Sequence, residues 1–493
     1  MTKPMTSKNS ILFNHPKGLL ILFLTEMWER MSYYGMRGIL ILFMTAGITD
    51  NPGLNLSNGN ANAIYGIYTG MVYLLCLPGG WIADNLLGYQ KSVIFGAIII
   101  TLGHLILSIP IHQTFIFGLA FVAIGTGLLK PNISSIVGQL YSKEDPRRDS
   151  GFTIFYMAIN IGSILGFTIC GWLGERIGWH WGFGAAGFGM LLGLIQFLSF
   201  RSWLGEVGKH PIELSKDKKS NYIYAVISTF ILSLALVGTA ALGYWSINPV
   251  YFAERFRDFL VFVSVAYFVY LLFIADITQA ERQNVILLLI LFIGAAAFWS
   301  GFDQSAGSFT IFTRDYVDLT FNSFVMPVSW LQQANPIFIV IFAPFFASFW
   351  LFLGSRGLNP NIPLKFALGL LFMALGFIVM VFAVNLATKT GSAHVQWLLI
   401  TYLLHTFGEL TISPVGLSAF SKYSPKKYMG QMMGVWFLAA SLGGVIAGLI
   451  GGNATSSGLV SINPTFKTLI YYYLILAVIL GAIGIYLKKK PEH

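Results

Sequence analysis

Charge is scarce in this sequence. Only 10% of its 493 residues are Asp, Glu, Lys or Arg, against about a quarter in soluble domains, and that excludes a water-soluble globular enzyme. Cysteine is nearly absent. Cys76 and Cys170 both sit inside apolar runs, where they act as small hydrophobes and build no disulfide framework. Neither His-Glu-x-x-His nor Gly-x-Ser-x-Gly occurs, so the commonest zinc and serine-nucleophile signatures of an intramembrane enzyme are missing. No cofactor or metal site is expected. Residues 1–17 are polar and basic, without an apolar core followed by small residues, so no removable signal peptide is expected and the first helix serves as the insertion signal.

What the chain has instead is hydrophobic residues, 56% of the total, gathered into long runs. With about 20 apolar residues per crossing, fourteen helices are expected, centred near residues 32, 73, 100, 127, 162, 190, 233, 266, 299, 341, 376, 407, 441 and 477. An even number puts both termini on one side. The loops on that side hold 21 Lys and Arg, from Lys3, Lys8 and Lys17 through Lys143 to Lys490, and those on the other side hold 6, the rest of the 30 being three bases within the spans. The positive-inside rule then places both ends in the cytoplasm of a cell with the chain in its inner membrane. The net charge of +10 is spread over these short loops and forms no stripe on one folded face, so nucleic acid is not an expected partner. Membrane lipid is.

The expected organisation is an N-terminal tail (1–17), a six-helix bundle (18–200), a polar linker (201–220), an accessory pair of helices (221–280), a second six-helix bundle (281–488) and a short tail (489–493). Two six-helix halves are the layout of carriers whose substrate sits near mid-membrane while the halves rock about it. Small residues spaced for close helix approach occur at Gly162/Gly166 and Gly444/Gly448/Gly452.

The chemistry concentrates in the first helix. Glu26, Glu29, Arg30, Tyr33 and Arg37 recur at the spacing of one helical face. An ionisable side chain at the bilayer centre costs about 2.5–3.5 kcal/mol on insertion scales, so this face requires partners or water. Lys130, Asp303 and Glu409 lie deep in other helices. The deep acids then outnumber the deep bases by one. A buried carboxyl without a cationic partner favours its protonated form, and that suggests proton coupling. Cations from one half and carboxylates from the other, with Tyr33, Tyr34, Tyr73, Asn160, Asn335 and Trp436 between them, suit a zwitterion with separated charges, such as a peptide.

Three motifs make the reading specific. Glu26-x-x-Glu29-Arg30-Met31-x-Tyr33-Tyr34, Phe155-Tyr156-Met157-Ala158-Ile159-Asn160-Ile161-Gly162 and Gly408-Glu409-Leu410-Thr411-Ile412-Ser413-Pro414 resemble, in order and spacing, signature segments of the proton-dependent oligopeptide transporter family of the major facilitator superfamily. The likeness spans about residues 18–488, with Met31 where Phe is usual and Asp303 where Glu is frequent. It implies an all-α major facilitator fold and symport of di- and tripeptides with protons by a monomer. It also implies roles: Arg30, Lys130 and Tyr33 around the peptide carboxylate, and Asn160, Asn335 and Glu409 around the amino end. Tyr34, Arg37, Tyr73, Trp299, Ser413 and Trp436 complete the lining, and Glu26, Glu29, Asp303 and Glu409 couple protons. Gating pairs are implied for Arg37 with Asp303 and Lys130 with Glu409. Gly79 to Lys91 resembles the superfamily's loop after the second helix without its basic run, which gives Asp84 a cytoplasmic gating role or a simple capping one. A carrier of another solute on the same scaffold, an intramembrane enzyme and a non-transporting sensor are the alternatives.

Overall fold

In the computed structural model, residues 15–49, 51–142, 145–241, 243–244 and 247–489 are described. Residues 1–14 of the N-terminal tail, with Lys3 and Lys8, and also Lys143 and Lys490, lie outside the described residues. The helices are α1 (Lys17–Thr45), α2 (Asn58–Leu74), α3 (Cys76–Ile82), α4 (Tyr89–Leu107), α5 (Phe115–Gln139), α6 (Arg148–Arg176), α7 (Trp179–Phe200), α8 (Lys216–Ala241), α9 (Pro249–Val269), α10 (Gln279–Phe302), α11 (Ser308–Tyr316), α12 (Ala334–Ser355), α13 (Ile362–Thr390), α14 (Gln396–Tyr423), α15 (Met429–Ala454) and α16 (Leu459–Lys489). A lipid environment offers the backbone no partner, so spanning segments must satisfy their own hydrogen bonds as helices. Counting interrupted helices as single spans, thirteen among the described residues are long and apolar enough to cross a membrane. The fourteenth is α1, with 29 residues but four ionisable side chains in its middle.

Two expected helices are broken. The second is interrupted at Leu75 and ends in a π turn, Ala83–Leu87; Pro78 has no N–H to give the carbonyl of Leu74. The ninth is interrupted by a 3-10 turn, Asp303–Ala306, between α10 and α11, so Asp303 sits at a helix end rather than in mid-helix. The accessory helices also start earlier than their apolar runs suggest. Asn248 accepts from the backbone N–H groups of Val250 and Tyr251 and Pro249 stands at the first turn, so α9 begins ahead of the charged stretch 254–258. Glu254, Arg255, Arg257 and Asp258 therefore fall inside it, with Asp258 paired to Arg255 at 3.1 Å and to Arg257 at 2.8 Å.

By contact the chain forms two compact units. The first comprises residues up to 40, 48–54 and 74–247. In it α4 packs closely against α5, where two glycines on each helix face one another. A Cβ added at Gly96 would lie 2.8 Å from the Gly125 carbonyl oxygen, and one at Gly103 would lie 2.9 Å from that of Gly118. That close approach replaces side-chain burial, which distinguishes helix faces poorly in lipid. Helix α8 rests on this unit through Phe230 with Phe121 and Tyr222 with Trp81.

The second unit comprises residues 41–47, 55–73 and 248 onward. It holds α2, whose Gly66 and Gly70 press on α15 at Gly448 and Val445, with the Ser441 hydroxyl donating to the Gly70 carbonyl at 2.8 Å. Helix α9 packs on α15 and, through Phe268 with Phe292, on α10. The two accessory helices therefore belong to different units. Two short ladders, Val317–Asp318 with Ala393–His394 and Thr320–Phe321 with Phe324–Val325, cover the connections after α11 and α13.

Candidate functional site

Within the first unit, the charged face of α1 is buried. Glu29 is 0% and Arg30 and Glu26 are each 2% exposed, so their charges must be settled locally. Arg30 Nε donates to Glu26 Oε1 at 2.9 Å and is 2.6 Å from Glu29 Oε2. One guanidinium thus serves two carboxylates, the arrangement expected from residues at i, i+3 and i+4. Arg30 Nη2, Glu26 Oε2 and Glu29 Oε1 have no hydrogen-bond partner among the described residues, leaving capacity for water or ligand. Lys130 lies within electrostatic range of Arg30 and Glu29, just before Pro131 in α5.

Glycine brings the neighbouring helix in. A Cβ at Gly162 of α6 would stand 2.8 Å from Arg30 Cβ, and one at Gly166 would stand 2.7 Å from the Gly35 nitrogen, so the expected small-residue spacing locks α6 onto α1. Asn160, on that helix, is buried and donates to the Tyr156 carbonyl at 3.3 Å. The Tyr33 ring lies 5.6 Å from the Arg30 guanidinium and the Tyr34 ring 5.8 Å from that of Arg37, a cation–π arrangement that holds both bases against α1.

Asp84 is exposed in the π turn. Its Oδ1 accepts from the Tyr89 hydroxyl at 2.7 Å and its carbonyl from the Ile212 N–H at 2.7 Å. The start of α4 holds the linker through Gln90, 0% exposed: its amide donates to the Val207 and Gly205 carbonyls, its N–H to that of Gly208, and its Oε1 accepts from Arg201 Nε at 2.7 Å. Sequence reasoning gave Gln90 no role, because its partners lie more than a hundred residues away.

The second unit carries Tyr73, Trp299, Asp303, Asn335, Glu409, Ser413 and Trp436. Asn335 Nδ2 donates to Glu409 Oε2 at 2.9 Å and to Thr406 Oγ1 at 3.0 Å, tying α12 to α14. Thr406 was not foreseen, although three residues before Glu409 is the same helical face. Trp299 packs against Gly443. Trp436 packs against Phe420, with ring centroids 5.5 Å apart, in space left by Gly416. The buried Ser413 hydroxyl has no partner among the described residues. Asp303 is 5% exposed, and a Cβ at Gly444 would lie 3.4 Å from its Oδ2. His405 is wedged between Phe309 and Phe377, a packing position. Among the described residues no three His, Cys, Asp or Glu side chains could hold a metal together.

Known proteins similar to this chain are found by family, by sequence and by structure. The model of the POT family matches residues 90–460. A relative described as peptide transporter YePEPT, from Yersinia enterocolitica, is 40% identical over 93% of this chain and 92% of its own. The di-/tripeptide transporter of Lactococcus lactis subsp. cremoris is 37% identical over 97% and 96%. Among solved structures, peptide transporter POT in complex with sulfate matches with a TM-score of 0.89 and 37% identity over 96% of each chain. A POT family transporter in complex with 5-aminolevulinic acid matches with 0.88 and 33% over 98% and 99%.

Proposed function

Because the chain belongs to the POT family, has the major facilitator fold and is a proton-coupled carrier of di- and tripeptides rather than an enzyme, we propose that Glu26, Glu29 and Arg30 form the switch at which proton and peptide meet. The carrying observation is the shared guanidinium. With both acids ionised the trio holds two negative charges against one positive, and Lys130, within electrostatic range, offsets the second. A proton on one acid releases part of Arg30 and leaves a positive charge that a ligand can match, since a buried net charge is costly. The freed fork then receives the peptide carboxylate bidentately, with Tyr33 and Lys130 beside it. At the other end, Asn335 and Glu409 supply acceptors for the peptide ammonium, and the family pattern assigns Asn160 to the same end.

The remaining assignments follow the family pattern. Tyr34, Tyr73, Trp299, Ser413 and Trp436 shape the side-chain pockets. Arg37 with Asp303 and Lys130 with Glu409 act as gating pairs, Asp303 and Glu409 joining the proton pathway. Asp84, already engaged by Tyr89 and the linker, steadies the cytoplasmic end. A proton or an ammonium shifts the balance between outward-open and inward-open states by its different affinity for each. The chain works as a monomer among inner-membrane lipids with both termini in the cytoplasm, as the distribution of Lys and Arg supports.

The test is labelled di-alanine uptake into proteoliposomes under an imposed pH gradient, with free alanine and 5-aminolevulinic acid as competitors. Glu29→Gln should abolish gradient-driven accumulation while retaining counterflow. Accumulation at the wild-type level in that variant would refute the switch, and stronger competition by alanine than by dipeptides would refute the substrate.

A further inference from the structure

We propose that Thr406 is a positioning residue that fixes which face of the Asn335 amide meets the substrate. The inference rests on the reading of Asn335 as a contact for the peptide ammonium. An asparagine presents two donors on one side and an acceptor on the other, and an ammonium can use only the acceptor. Something must therefore hold the amide with its oxygen outward.

The geometry assigns that task to Thr406. Its hydroxyl hydrogen is committed to the Tyr402 carbonyl at 2.7 Å, so toward Asn335 its Oγ1 can only accept. Asn335 answers with Nδ2 at 3.0 Å. The second amide hydrogen goes to Glu409 Oε2 at 2.9 Å. With both hydrogens directed at α14, Oδ1 is left on the opposite side. Flipping the amide would set Oδ1 against Oγ1, two acceptors with no hydrogen between them, and would leave a 0% exposed hydroxyl oxygen facing a lone pair.

Glu409 cannot do this alone. A carboxyl that exchanges protons during transport accepts in one state and donates in the other, and its protonated form tolerates either amide orientation. Thr406 does not titrate. It keeps the amide polarity constant while its neighbour changes charge, so the ammonium site survives the proton cycle.

The experiment measures di-alanine counterflow in proteoliposomes, together with inhibition by N-acetyl-di-alanine, which lacks the ammonium. Thr406→Val should raise KM for di-alanine about tenfold, the size of one charge-assisted hydrogen bond, with kcat and N-acetyl-di-alanine inhibition within about twofold. Thr406→Ser, which keeps the acceptor, should restore KM to within about twofold. If Thr406→Val fails to fold by thermal melting, Thr406→Ala takes its place, with the same expectation. Asn335→Ala separates the two levels: it should erase the preference for the free amine. If it does and the Thr406 variants leave the preference unchanged, the positioning role is overturned and the Asn335 reading stands. If Asn335→Ala leaves the preference intact, both fall. Equal impairment of the serine and valine variants toward both ligands would also overturn the proposal, since it would mark a packing role.

Discussion

Gly166→Ala tests whether the seam between α1 and α6 sets the geometry of the switch. A methyl there would stand 2.7 Å from the Gly35 nitrogen and closer still to the Met31 carbonyl oxygen, whereas ordinary contact begins at 3.4 Å. Backbone atoms cannot swing aside as a side-chain tip can, so the helices must separate by more than about 0.7 Å at this level, the difference of those two distances, because the Met31 oxygen is nearer still. Overpacking of that kind costs about 1–3 kcal/mol. Glu29 and Arg30 lie less than two turns away on α1, and misplacing binding groups by roughly 1 Å can reduce rate by about a hundredfold. Gly184→Ala is the matched control. Its methyl would meet only Ser108 Cβ at 3.7 Å, and the gain in helix propensity should stabilise by up to about 1 kcal/mol. Unfolding can be followed with a thiol-reactive dye, because Cys76 and Cys170 are both buried. The expected result is a lower melting temperature and at least about tenfold slower uptake for Gly166→Ala, with neither for Gly184→Ala. Equal melting temperatures for Gly166→Ala and the wild type would refute the reasoning.

Gly448→Val should push α2 off α15, since even a Cβ there would lie 2.5 Å from the Asn62 carbonyl oxygen; the check is faster labelling of an Asn62→Cys variant by a membrane-impermeant maleimide. Gln90→Leu removes both side-chain bonds to the linker and the acceptor for Arg201, and limited proteolysis should then cut near Lys209 at least severalfold faster. In the connection before α6, hydrogen bonds from Arg147 hold the Asp145 carboxyl down at about 2. A depressed acid contributes stability in full above its unfolded value of about 3.9 and loses it as pH falls toward the folded value. The melting-temperature gap between wild type and Asp145→Asn should therefore be constant from pH 5 to pH 7 and shrink below about pH 4; a gap that widens in acid would contradict the pairing.

The number and centres of the helices, the charged face of α1 and the likeness of three motifs to one family were all determined by the sequence, because each depends on order along the chain. Lipid demands apolar runs of a given length, and a helix turns i, i+3 and i+4 onto one face whatever surrounds it. Glu26, Glu29 and Arg30 were legible for that reason. Only tertiary structure decided that Asp303 sits in a break between α10 and α11, that α8 and α9 join different units, and that Thr406 and Glu409 share Asn335 across 71 and 74 residues of chain. An apolar helix face packs against lipid almost as well as against protein, so hydrophobic pattern does not choose its neighbours. Glycine contacts and hydrogen bonds between distant residues do, and those exist only once the helices have met.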